Sequence, residues 1–110
     1  MPAFVKIARN SLCIIDEDVT PETAKMIKDL LYETKGEPDK ILHHLVLINC
    51  KMSDSSCATV LDGIMLQGKA LRSLVYSRNE MGPASLEKLD RLLPNLRDLR
   101  VSQLTFAHGE

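Results

Sequence analysis

Two adjacent histidines and two downstream cysteines are the residues of this chain whose types best suit metal binding. His43 and His44 precede Cys50 and Cys57, and imidazole and thiolate are common zinc ligands. Their spacing, His-His-x5-Cys-x6-Cys, matches no zinc-binding pattern. Alternation along a strand would also send the two histidines to opposite faces of a sheet. We therefore predict no metal site.

The third cysteine and an acidic run raise the question of a catalytic site. A cysteine nucleophile needs a positioned base, and only His44 is predicted to share a strand face with Cys13. The acidic run at positions 16–18 lies where a strand turns into a helix, and carboxylates there interact favourably with the helix dipole. The five glycines never cluster into a phosphate-binding loop. We predict no catalytic residue, no cofactor and no enzymatic activity.

The balance of charge argues against a nucleic-acid or membrane-surface partner. Fourteen basic and fifteen acidic side chains give a formal net charge of −1, and the arginines of the C-terminal third are interleaved with acids. The sequence shows no basic stripe of the kind that binds nucleic acid. No apolar run approaches the roughly 18 residues needed to span a bilayer.

The cysteine content indicates a reducing environment. Three cysteines without close-paired spacing are typical of free thiols in a reducing compartment. We predict a cytoplasmic location or another reducing intracellular compartment, with a cytoskeletal or organellar assembly left open.

A repeated unit organises the chain. The stretch LVLINCKM at residues 45–52 is matched 29 residues later by LVYSRNEM at residues 74–81. The shared template is a leucine, an apolar residue two positions on, and another apolar residue five positions after that. Four copies fit it: Leu12, Ile14 and Val19; Leu45, Leu47 and Met52; Leu74, Tyr76 and Met81; Leu99, Val101 and Phe106. The first residues of the copies are 33, 29 and 25 positions apart, which favours stacked units over a closed sheet.

Each unit has the pattern of a strand followed by a helix. The alternating apolar residues predict a strand with one buried face. Helix-start signals follow each of the first three strands: Thr20 with Pro21, Ser53 or Asp54, and Gly82 with Pro83. Helix-breaking residues then mark the ends, near Gly36, Gly68 and Pro94. The predicted fold class is α/β, with parallel strands and intervening helices.

The pattern resembles the leucine-rich repeats of the ribonuclease-inhibitor-like subtype, whose signature is leucine-x-x-leucine-x-leucine-x-x-Asn/Cys-x-leucine. Two copies follow this signature: Leu42, Leu45, Leu47, Cys50 and Met52, then Leu71, Leu74, Tyr76, Asn79 and Met81. The resemblance implies a solenoid, a short right-handed α/β horseshoe segment with parallel strands on the concave side and helices on the convex side. It also implies that the Asn/Cys side chain caps backbone groups inside the bend after the strand.

The outer copies depart from the signature. The first has Arg9 and Glu17 at the opening leucine and Asn/Cys positions, and the last has Leu104 at the Asn/Cys position. We predict a lead-in or cap at residues 1–8, repeats at 9–41, 42–70 and 71–95, a partial repeat at 96–106, and a tail at 107–110.

The residues between the strand leucines would face the concave side. Their middle positions form a column of Cys13, Val46, Val75 and Arg100, with Ile15 and Ile48 beside it. Solvent-facing strand positions are usually polar, so an apolar column indicates a partner surface. The predicted contact residues are His44, Val46, Ile48, Val75, Asp98 and Arg100. The competing interpretation is that valine and isoleucine simply suit strands.

A second predicted surface is the C-terminal edge. Solenoids need polar caps at their ends, and the last repeat has no predicted helix. We predict an exposed apolar edge at Leu96, Leu99 and Val101, covered by a partner or by further repeats.

These features together predict a non-catalytic protein–protein interaction or scaffold module, as a small subunit or a fragment of a larger assembly. The expected partner is another protein. The alternative is a small regulatory α/β domain similar to the anti-sigma antagonists, switched by phosphorylation in the Ser53–Ser56 loop. That alternative does not predict four copies of the same sequence repeat.

Overall fold

A computed structural model describes residues 1–107 of the chain, so residues 108–110 of the predicted tail lie outside the described residues. Strands and helices follow one another along the sequence: β1 Ser11–Ile15, α1 Pro21–Glu33, β2 His44–Ile48, α2 Asp54–Gln67, β3 Ser73–Ser77, β4 Glu80–Met81, α3 Pro83–Leu92, β5 Asp98–Ser102 and β6 Thr105–Phe106. Short 3-10 turns at Pro38–Lys40 and Leu93–Asn95 precede β2 and β5.

Four strands form one parallel sheet with the order β1-β2-β3-β5, and β4 pairs in parallel with β6 in a second, two-stranded sheet. The register aligns Leu12 with Leu45, Leu45 with Leu74, and Leu74 with Leu99. Each pairing therefore joins the residues that open successive copies of the sequence repeat. The prediction of an α/β chain with parallel strands and intervening helices is confirmed.

The helices begin at the predicted residues. Thr20 caps α1 by accepting a hydrogen bond from the backbone N–H of Thr23 at 3.1 Å. Ser53, rather than Asp54, caps α2 in the same way through the N–H of Ser56. Helix α3 has Gly82 at its N-cap position, so its cap residue has no side chain to accept a hydrogen bond from the first turn.

The core lies between the helices and one face of the sheet. Alternate strand residues are buried in β1, β2 and β3, so one face of the sheet packs on the helices and the other remains open. The lead-in contributes Val5 and Ile7 to this core. Buried Gln67 joins α2 to the turn before β2, accepting from the N–H of Leu42 and donating to the carbonyl of Lys40. No helix within residues 1–107 is long and apolar enough to cross a membrane.

A backbone feature repeats directly after each sheet strand. Asp16, Asn49, Arg78 and Gln103 follow β1, β2, β3 and β5, and their φ angles are 58°, 53°, 54° and 51°. This left-handed conformation is uncommon for residues other than glycine. Its recurrence at one position per unit shows that all four strands turn away from the sheet in the same way.

Helix packing leaves no room for a side chain at Gly63 in α2. A Cβ atom there would lie 2.8 Å from the Cα atom of Lys28 and 3.0 Å from Cδ1 of Leu31. Both of these residues belong to α1, so the missing side chain allows α1 and α2 to approach closely.

We expect Gly63→Ala to lower the free energy of unfolding by about 1–3 kcal/mol, because overpacking would push α1 and α2 apart. Urea denaturation measures this change. Gly36→Ala is the matched control, since a Cβ at Gly36 meets no atom within 4 Å. Equal stability of the two variants would contradict the close helix contact.

Candidate functional site

The open side of the sheet is here called the strand face. It consists of the alternate strand residues that do not enter the core: Ser11, Cys13, Ile15, His44, Val46, Ile48, Ser73, Val75, Ser77, Asp98, Arg100 and Ser102. The register lines them up in three rows that run across the four strands. All six residues predicted to bind a partner therefore lie on one continuous surface.

The middle row of the strand face is apolar at its centre. Cys13, Val46, Val75 and Arg100 are direct neighbours across the sheet. Val46 and Val75 are half-buried, while Cys13 and Arg100 at the two ends are exposed. Ile15 and Ile48 continue the apolar area in the next row, and 47% of Ile15 is exposed.

The first row of the strand face is polar and consists of Ser11, His44, Ser73 and Asp98. Nδ1 of His44 lies 2.8 Å from the hydroxyl of Ser73. At the far end of the sheet, the Arg100 guanidinium holds the Asp98 carboxylate through two contacts of 3.2 Å. These side chains supply oriented polar groups along one border of the apolar centre.

The last strand exposes the positions that are buried in its neighbours. Leu99 and Val101 of β5 are 37% and 42% exposed, whereas Leu45 and Tyr76 at corresponding positions are fully buried. Leu96 is different, because it is partly buried against the core. Within residues 1–107, β5 pairs with β3 on one side and with no strand on the other.

The bend after each central strand is built around the Asn/Cys position. Cys50 Sγ lies 3.3 Å from the Ile14 carbonyl and 3.4 Å from the Ile48 carbonyl. Asn79 donates to the equivalent carbonyls one unit along the sheet, those of Leu47 and Ser77. At both positions a buried side chain therefore lies within hydrogen-bonding distance of two backbone carbonyls.

Two of the thiols and one of the imidazoles have pKa values shifted by their surroundings. Burial raises the pKa of the Cys50 thiol to about 11 and also raises the pKa of the Cys57 thiol. Burial and, to a smaller extent, the charges of Arg72 and His44 lower the pKa of His43. No cluster of three or more potential metal ligands occurs among the described residues.

The Ser53–Ser56 loop forms the start of α2. Ser53 and Ser56 are bonded to each other, and Ser56 is buried. Ser55 is exposed, with its hydroxyl 3.1 Å from that of Ser53. The Ser53 hydroxyl thus caps α2 and donates to the Ser56 hydroxyl, whereas Ser55 faces solvent.

A basic concavity lies where two helix-to-strand connections meet. It has a volume of about 270 Å³ and is lined by Lys69, Ala70, Arg72, Asn95 and Arg97. The sequence did not indicate this cluster, because acidic residues are interleaved among the arginines of the C-terminal third as a whole. The sequence repeat could have indicated the cluster, because Arg72 and Arg97 occupy the same position of adjacent units, two residues before Leu74 and Leu99.

Comparison with protein-family models, curated proteins and solved structures finds no match to this chain.

Proposed function

We propose that this chain is a non-catalytic protein–protein interaction or scaffold module, and that its units form a short leucine-rich-repeat solenoid. The observation that carries the proposal is the uncovered apolar row on the strand face, bordered by bonded polar side chains. Sheets with one solvated face usually alternate apolar and polar residues. An apolar centre on the outward face of the sheet suits contact with another protein.

Three features support the repeat architecture. The strand register equals the spacing of the sequence repeat, the left-handed turn recurs after every sheet strand, and the Asn/Cys side chains bond equivalent carbonyls in adjacent units. In such a solenoid the strand face is the concave surface, where stacked units present one side chain each per row.

The partner contact in this proposal is centred on Val46 and Val75, with Ile48 beside them. His44, Asp98 and Arg100 supply polar specificity at the border. Burying one such apolar side chain stabilises a complex by about 1.5–3 kcal/mol, so two or three suffice for a modest interface.

The exposed edge of β5 adds a second proposed contact. Leu99 and Val101 repeat the core positions of the other strands but lack their cover. We propose that further repeats or a partner cover this edge, because an uncovered edge strand offers backbone groups for pairing. In either case the chain functions as part of a larger assembly.

Val75→Asp tests the strand-face proposal. We expect the immobilised variant to capture at least tenfold less of the partner protein than the immobilised wild type does, because a carboxylate would be buried in an apolar contact. The measurement is quantitative affinity capture from an extract of the source cells, using immobilised chain and comparing each retained protein between variants.

Leu66→Asp is the matched control for this experiment. Leu66 is also an apolar residue, 48% exposed, but it lies on α2, away from the strand face. The control should retain the partner as the wild type does, with both variants checked by thermal melting. A partner that Val75→Asp retains, or that both variants lose equally, contradicts the proposed surface.

A further inference from the structure

The basic concavity brings three cations to one place on the surface. Lys69 comes from the connection after α2, Arg72 lies just before β3, and Arg97 lies just before β5. Among residues 1–107, the side chains that line the concavity include no acid. The site lies at the amino-terminal end of the strands and does not depend on the proposed role of the strand face.

Backbone hydrogen bonds hold the two arginines side by side. The Arg72 carbonyl accepts from the N–H groups of Arg97 and Asp98, at 2.7 and 3.2 Å. Neighbouring strands are about 4.8 Å apart, so the two guanidinium groups start from adjacent points. Asn95 ties the same connections together by donating to the Lys69 carbonyl at 2.9 Å. Hydrogen bonds between the two connections therefore hold the backbone of the concavity in place.

The three cations of the concavity have no ion-pair partner in the part of the chain that the structure describes. Among residues 1–107, no carboxylate lies within 4.0 Å of the charged nitrogens of Lys69, Arg72 or Arg97. By contrast, Arg91 pairs with Glu87, and Arg100 pairs with Asp98. The fold thus directs Asp98, which follows Arg97 in the sequence, to Arg100 instead.

We propose that the basic concavity binds a phosphoryl group. Three cations suit a dianionic oxyanion, and guanidinium groups form paired hydrogen bonds with phosphate oxygens. A carboxylate carries one negative charge and would leave more of the positive charge uncompensated. A nucleic-acid strand is the less suitable ligand, since the described residues that line the site include no aromatic side chain for base stacking.

The phosphoryl group can belong to a phosphorylated side chain or to a free phosphate ester, and binding measurements separate the two sources. The ligands are inorganic phosphate, a short phosphoserine peptide, the same peptide with serine, and a single-stranded oligonucleotide. Amide chemical shifts of a ¹⁵N-labelled chain report each titration at constant ionic strength. We expect saturable shifts at Ala70, Arg72 and Arg97 with phosphate and with the phosphopeptide, and none with the serine peptide.

The double variant Arg72→Gln with Arg97→Gln is expected to bind phosphate at least tenfold more weakly. The matched control is Lys35→Gln with Arg91→Gln, which removes the same charge away from the concavity and should bind as the wild type does. Tighter binding of the phosphopeptide than of phosphate supports a phosphorylated protein segment, and equal binding supports a free phosphate ester. Unsaturable shifts, equal weakening in both double variants, or preferential binding of the oligonucleotide would overturn the proposal.

Discussion

Replacing Asn79 with alanine is expected to lower the free energy of unfolding by about 3 kcal/mol. Asn79 is 5% exposed, and its side chain makes hydrogen bonds through both its nitrogen and its oxygen. Its Nδ2 donates to the carbonyls of Leu47 and Ser77, and its Oδ1 accepts from the N–H of Cys50 at 2.8 Å. Alanine would remove the acceptor of the buried Cys50 N–H and one donor each from the Leu47 and Ser77 carbonyls, and leaving a buried group without a partner costs about 1–3 kcal/mol. Urea denaturation gives the measured difference.

Asn79→Cys separates the donor role of this side chain from its acceptor role. Cys50 already lies within bonding distance of the equivalent pair of carbonyls through its thiol. A cysteine at position 79 can copy that arrangement but cannot accept strongly from the Cys50 N–H. We expect Asn79→Cys to lose about half as much stability as Asn79→Ala. The exposed Asn95 supplies the control, and a loss in Asn95→Ala equal to that in Asn79→Ala would contradict the buried network.

The sheet and its register could be predicted from the sequence because they depend on apolar residues at fixed spacing. Leu45, Leu74 and their equivalents must all face one core, and a shift by one residue would turn each of them to solvent. The Asn/Cys position could be predicted for the same reason, since it has a fixed distance from those leucines. The apolar residues of the sequence repeat therefore occupy equivalent positions in successive strands.

The left-handed turn after each strand could not be predicted from residue types. Aspartate, asparagine, arginine and glutamine occupy it in the four units, and arginine and glutamine have no preference for positive φ. The surrounding unit imposes this conformation through the bonds that follow each strand, such as the one from the Asp16 N–H to the Ile48 carbonyl. Tertiary structure thus overrides local preference at this position.

Charge along the chain was a poor guide to charge on the surface. Acidic residues are interleaved among the arginines of the C-terminal third, and Asp98 directly follows Arg97, so a mixed, solvated surface was the natural interpretation. The fold instead stacks these arginines at one end of the sheet, and Asp98 turns to Arg100. The two proposed contact surfaces are different, because the sequence predicted both the rows of the strand face and the exposure of Leu99 and Val101.

Helix α3 depends on a residue far from it in sequence. Its N-cap residue, Gly82, has no side chain, and Asp54 of α2 takes over the capping. The Asp54 carboxylate accepts from the N–H groups of Gly82, Ala84 and Ser85 at 2.8 to 3.1 Å. Ser85 returns a hydrogen bond from its hydroxyl to the Asp54 carbonyl. One carboxylate therefore caps the helix of the next unit and links the two units.

Replacing Asp54 with alanine is expected to lower the free energy of unfolding by about 2 kcal/mol at neutral pH, since three N–H groups lose a charged acceptor. Asp90→Ala is the control, because Asp90 is exposed on α3, and its effect should stay within about 0.5 kcal/mol. Asp54→Asn, which keeps one carbonyl oxygen but no charge, should fall between them. If Asp54→Ala is as stable as Asp90→Ala, the carboxylate does not cap α3.

The contribution of Asp54 should depend on pH with a defined sign. Burial alone raises the pKa of its carboxyl, but the hydrogen bonds from Ser85, Ala84 and Gly82 together outweigh burial and place the pKa below its ordinary value. A pKa that folding depresses gives stability above the unfolded pKa of about 3.9, and that stability is lost as the pH falls through the folded value. The difference between wild type and Asp54→Asn should therefore be full above about pH 5 and shrink below about pH 4. Urea denaturation across this range measures it, and a difference that stays constant down to about pH 3 would contradict capping by the charged carboxylate.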